Sequence, residues 1–89
     1  MKDDNKYTYI STATTTQVNT GRTILKKIII GETTAGAISI IDNITGTTVN
    51  VGQLKASITE GVYEFNCLLS TGLRIVTAGA SKITVVWSD

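Results

Sequence analysis

Apolar residues recur at every second position in short runs along this chain, and glycine, threonine and asparagine punctuate the runs. The clearest stretch is 72–87. There Leu73 and Ile75 share one phase, Ile83 and Val85 share another, and Thr77 to Ser81 forms a loop of small residues between them, so the segment reads as a β-hairpin ending in Trp87. Tyr7 to Ala13 alternates Tyr7, Tyr9 and Ser11 against Thr8, Ile10 and Thr12, which suits an edge strand, because it holds too few apolar residues for a central one. Residues 14–21 read as a turn or loop. The most hydrophobic strand is Thr23 to Ile30, where Ile24, Ile28 and Ile30 stand on one face with Lys26, and Leu25 and Ile29 on the other with Lys27. Either a β-bulge near Lys26-Lys27 re-phases the alternation, or both faces are partly covered.

Gly31 to Gly36 follows as a loop and Ala37 to Asp42 as a strand with Ile38 and Ile40 inward. The Asx residues and glycine of Asp42 to Gly46 supply turn chemistry, and Thr47 to Leu54 returns with Val49 and Val51 inward. Lys55 to Thr59 is ambiguous. In Gly61 to Leu69 the residues Tyr63, Phe65, Cys67 and Leu69 form a core phase, and Val62, Glu64, Asn66 and Leu68 the opposite one. About seven strands at roughly 8–12-residue spacing, with no credible helix, predict an all-β fold: a single small antiparallel sandwich or barrel. Its core is expected to hold Leu25, Ile38, Ile40, Val49, Val51, Phe65, Leu73, Ile75, Ile83 and Val85.

Length and charge narrow the function classes. The 89 residues make one domain, and a chain this small buries only roughly 60–65% of its unfolded surface, so oligomerisation would add stability. Residues 1–6 are polar after Met1 and read as a flexible arm, with the sandwich domain over 7–89. The chain is 42% hydrophobic and 17% charged, with a net charge of +1 and its basic residues scattered apart from Lys26-Lys27, so no stripe suited to nucleic acid is present. No run reaches the roughly 18–20 apolar residues of a membrane span, and no signal-peptide core follows Met1; synthesis in a cytoplasm is expected.

Catalytic chemistry has few candidates. The chain has no histidine, which removes Ser-His-Asp and Cys-His designs. Asp42, Glu60 and Glu64 lie in or beside turns, where solvated carboxylates are the ordinary explanation. Gly31 to Gly36 lacks the Lys-Ser/Thr step of a phosphate loop, and Asn43-Ile44-Thr45, a glycosylation sequon in form, reads as a turn. The single Cys67 excludes an intrachain disulfide and a structural zinc site, and it reads as a small buried hydrophobe. No catalytic, cofactor-binding or metal-binding residue is assigned, and no cofactor is expected. Function is expected from a surface: Ile29, Ile41, Val76 and Val86 sit on the phase opposite the core and predict self-association, and Trp87 is counted with this interface set.

The succession Leu25 to Ile30, Ala37-Ile38-Ser39-Ile40-Ile41-Asp42-Asn43, Gly61 to Phe65, Ser70-Thr71-Gly72-Leu73-Arg74-Ile75-Val76-Thr77-Ala78-Gly79 and Ile83 to Trp87 resembles small tailed-bacteriophage virion proteins of the capsid-decoration or head-fibre type. The resemblance covers about two-thirds of the chain, and its motifs are turn and core residues. It implies a jelly-roll-like β-sandwich and a symmetric oligomer, a trimer in preference to a dimer, bound to a capsid or other virion protein. It brings no catalytic residues. The expected location is the virion, after synthesis in the host bacterial cytoplasm. The competing reading is a carbohydrate- or receptor-binding module, for which Tyr7, Tyr9, Tyr63 and Trp87 are the available aromatics, each more simply a core or interface residue.

Overall fold

The computed structural model describes residues 5–46, 48 and 50–89. Eight strands follow one another with no helix among these residues: β1 (Lys6–Ile10), β2 (Thr14–Thr20), β3 (Thr23–Glu32), β4 (Ile38–Asp42), β5 (Gly52–Leu54), β6 (Gly61–Leu69), β7 (Gly72–Thr77) and β8 (Lys82–Ser88). They form two four-stranded sheets, β1-β8-β3-β6 and β2-β7-β4-β5, called sheet A and sheet B below. All pairings are antiparallel. The pairs β1/β8, β2/β7, β3/β6 and β4/β5 amount to one long ribbon whose apex lies between β4 and β5; rolling that ribbon produces the two sheets. This wind is a jelly roll, as expected, with eight strands where about seven were anticipated.

The additional strand is β2, expected as a loop. Val18 is its one apolar residue, which hides the alternation, but β-branched threonines fit a pleated edge and β2 pairs along its length with β7. Of the return strand expected over Thr47 to Leu54, the described residues show β5. Thr47 and Val49 lie outside the described residues, as do Met1 to Asp4 of the expected arm; Lys6 belongs to β1.

Of the two possibilities for β3, the structure has the bulge. Lys26 is the extra residue against β8, and β6 carries one residue more at the same row, where Asn66 takes a positive φ of 51°. The bulge brings Leu25, Ile28 and Ile30 onto one inward face and turns Ile24, Lys27 and Ile29 outward. Leu25, Ile38, Ile40, Leu73, Ile75, Ile83 and Val85 fill the space between the sheets as expected, joined by Ile10, Ile28, Ile30, Leu54, Leu69 and Trp87. Val51 and Phe65 are only half-buried against this core. The reason is β5: with three residues it covers little of the inner side of the nine-residue β6, so Tyr63, Phe65 and Cys67 stay partly open.

Buried hydroxyls lock the turns. Thr77 donates to the Thr12 carbonyl at 2.6 Å and accepts from the Thr14 N–H at 3.1 Å, holding the β1–β2 corner. At the end of the sandwich where β3–β4 and β7–β8 turn, Ser81 Oγ accepts from the Thr34 N–H at 3.1 Å. Gly36 and Gly79 cross there so closely that a Cβ on Gly36 would overlap the Gly79 backbone, which only glycine permits.

Candidate functional site

The two sheets present unlike outer faces, and register decides which residues share each. On sheet A the pairings align Tyr9, Thr84, Ile29 and Val62 in one row across β1, β8, β3 and β6, and Tyr7, Val86, Lys27 and Glu64 in the next. Beyond the bulge, Ser88, Ile24 and Leu68 form a third row. The three rows take the phase opposite their buried chain neighbours, such as Leu25, Ile28, Val85 and Trp87, and of their members Ser88 is itself buried. Tyr7, Tyr9, Val62 and Leu68 are 76%, 57%, 53% and 56% exposed, making this face the location of four of the five large exposed hydrophobics among the described residues.

Ion pairs mark both ends of β8. Lys82 Nζ lies 3.1 Å from Glu32 Oε1, and Lys6 Nζ lies 2.9 Å from Asp89 Oδ2. The hydrogen bond and charge of Glu32 raise the Lys82 ammonium above its ordinary value, and those of Lys6 lower the Asp89 carboxyl. Lys6 also stands 5.3 Å from the centre of the Trp87 ring, whose Nε1–H donates to Thr8 Oγ1 at 3.2 Å. These contacts fix the edge strand β1 to β8 and so hold the tyrosines in place.

The outer face of sheet B is more polar, and one of its rows is roofed. Its rows run Thr15, Val76, Ser39, Gln53 and Gln17, Arg74, Ile41. The Arg74 guanidinium donates to Gln17 Oε1 at 2.7 Å and to the Gly46 carbonyl at 2.8 Å; Gln17 Nε2 in turn donates to the Asn43 carbonyl at 3.0 Å. Residues 43–46 of the β4–β5 connection are thereby folded back over this face. The Asn50 side chain extends the sheet ladder, accepting from the Asp42 N–H at 2.7 Å and donating to the Asp42 carbonyl at 3.1 Å.

Asp42 fastens the same end to the β6–β7 turn. Its carboxylate accepts from the N–H groups of Ser70, Thr71 and Gly72 at 3.2, 2.9 and 3.1 Å. Desolvation pushes its pKa upward, but these bonds and the Ser70 hydroxyl together outweigh that and hold it below the ordinary carboxylate value. Every acceptor position is thus given to the fold. Glu60 likewise accepts from the Thr33 N–H, at 3.3 Å. Burial raises the Cys67 thiol and keeps it protonated.

The five residues expected at an interface are therefore dispersed. Ile29 and Val86 are diagonal neighbours on the sheet A face. Val76 lies on sheet B. Ile41 is fully buried on the roofed side, outside the main core cluster, and Trp87 packs into the core. Tyr7, Tyr9, Val62 and Leu68, absent from that set, dominate the exposed face. The signal for Val62 and Leu68 was their phase opposite Tyr63 and Phe65; for the tyrosines it was aromatic residues on a strand too polar for the interior.

No protein-family model matches the chain, and neither a curated protein nor a solved structure matches it.

Proposed function

We propose that this chain is a non-enzymatic structural subunit, carried on a virion of the tailed-phage kind and attached to a capsid or fibre protein through the outer face of sheet A. The observation that carries the reading is the concentration of Tyr7, Tyr9, Val62 and Leu68 on that one face. Apolar groups gathered on one side of a small domain are the usual mark of a protein contact. The jelly-roll wind supports it by analogy, since capsid proteins use this architecture; lectins use it too, so the face and not the fold bears the argument.

The tyrosines give the second reading its own support. Two residues apart on β1, they lie on the same side of the strand and are exposed, as the rings of a sugar-stacking platform must be. Purifying the particle and locating the chain on it by electron microscopy tests the first reading, together with the Tyr7→Ser/Tyr9→Ser variant. That variant is expected to fold normally and to lose attachment. Undiminished attachment, or absence of the chain from any particle, overturns the proposal, and saturable binding in a glycan screen that the same variant abolishes carries the second reading instead.

A further inference from the structure

On the sheet A face, Lys27 of β3 and Glu64 of β6 stand directly opposite each other in one row. Among the described residues the ion pairs are Lys6–Asp89 and Lys82–Glu32, and within that set Lys27 and Glu64 are not within ion-pair distance of each other or of another charged group. Apolar residues flank them on both sides along the strands, Ile29 beside Val62 in one direction and Ile24 beside Leu68 in the other. A partner for this area needs an acid over Lys27, a base over Glu64, and apolar groups over the rest. The face itself, turned about an axis that runs along the strands between β3 and β6, supplies that set. Lys27 then meets Glu64 of the second copy and Glu64 meets its Lys27, Ile29 stacks on Val62, and Ile24 on Leu68.

We propose that a second copy of this chain occupies the β3–β6 half of the sheet A face, in a two-fold dimer held in register by reciprocal Lys27–Glu64 pairs. This deepens the reading of that face as a protein contact and rests on it. The arrangement leaves Tyr7 and Tyr9 at the outer margins of the stacked strands, open to a different partner. It also specifies a dimer, since a three-fold ring joins this face to an unlike surface and does not set Lys27 against Glu64.

Charge exchange tests it. The unaltered protein at roughly 100 µM is expected to sediment as a dimer whose dissociation constant rises with salt. Lys27→Glu and Glu64→Lys, each alone, place like charges together at both symmetric contacts and are expected to weaken the dimer at least about tenfold. Mixing the two single variants restores both pairs and is expected to give a heterodimer, and the double variant a homodimer. Glu64→Gln, which creates no like-charge pair within one copy, serves should a reversed charge impair folding; it is expected to weaken the dimer about threefold or more. A monomer at this concentration, a trimer, or dimerisation indifferent to these changes overturns the proposal. The attachment assay separates this outcome from failure of the functional reading: a monomeric protein still bound to its particle through Tyr7 and Tyr9 rejects the dimer alone.

Discussion

The outer face of sheet A and the outer face of sheet B are made by the same pleat, yet the first leaves its large apolar residues exposed and the second covers Ile41. On sheet B a charged residue, Arg74, and an amide, Gln17, donate to the carbonyls of Gly46 and Asn43 and draw that part of the β4–β5 connection across the strands, while Asn50 of the same connection bonds back to Asp42 of β4. On sheet A, Tyr7, Tyr9, Val62 and Leu68 stay more than half exposed, and among the described residues the mid-face charges Lys27 and Glu64 form no ion pair with a loop. Polar side chains on a sheet face are thus what the fold consumes to cover itself. Apolar side chains on a face that nothing covers remain available to another molecule, and that is why the roofed face contributes stability and the bare one contact.

Ile41 and Ile29 give the sharpest test, since both are isoleucines on outer phases. Ile41→Ala is expected to lower the unfolding free energy in denaturant titrations by about 2–5 kcal/mol, the cost of a cavity beneath a closed roof. Ile29→Ala, on the bare face, should cost clearly less; equal losses would break the comparison.

Asp42→Ala removes the acceptor for three backbone N–H groups and is expected to cost about 1–3 kcal/mol. The pH dependence follows in sign. The folded-state carboxyl lies below its unfolded value of about 3.9, so its contribution is complete above that value and fades as pH falls through the folded one. Asp42→Asn should therefore flatten the acid limb of the stability curve below about pH 4, and an unchanged limb would show that other carboxylates set it.

Arg74→Met keeps the stem over sheet B but removes the bonds to Gly46 and Gln17, for an expected loss of about 1–2 kcal/mol. Amide hydrogen exchange should quicken in residues 43–46 and leave β3 and β8 unaltered. The smallest effect belongs to the bare face: Val62→Thr or Leu68→Thr should change stability by no more than about 0.5 kcal/mol in thermal melts, while weakening self-association.

What could be read from the chain follows the same division. Alternation is a local property of the pleat, so the all-β class and the inward phases of Ile38 and Ile40, Leu73 and Ile75, and Ile83 and Val85 were legible from neighbours alone. Lys26-Lys27 announced a disturbance in β3, but two solutions fitted it until β6 and β8 fixed where the extra residues fall. Thr14 to Thr20 was illegible as a strand because its partner, β7, lies more than fifty residues away and edge pairing needs no apolar alternation.

Cover is the property that no local pattern encodes. Ile41 and Val86 both sit opposite the core phase of their strands, and Phe65 sits on it, yet Ile41 is sealed, Val86 is half-open and Phe65 only half-buried. Away from the β3 bulge, the sequence by itself determined which side of its strand a residue takes, because Cβ atoms alternate from one residue to the next. Only the tertiary structure decided what lies above each side, because the segment folded over Ile41 is held there by Gln17 and Arg74, residues far from it along the chain.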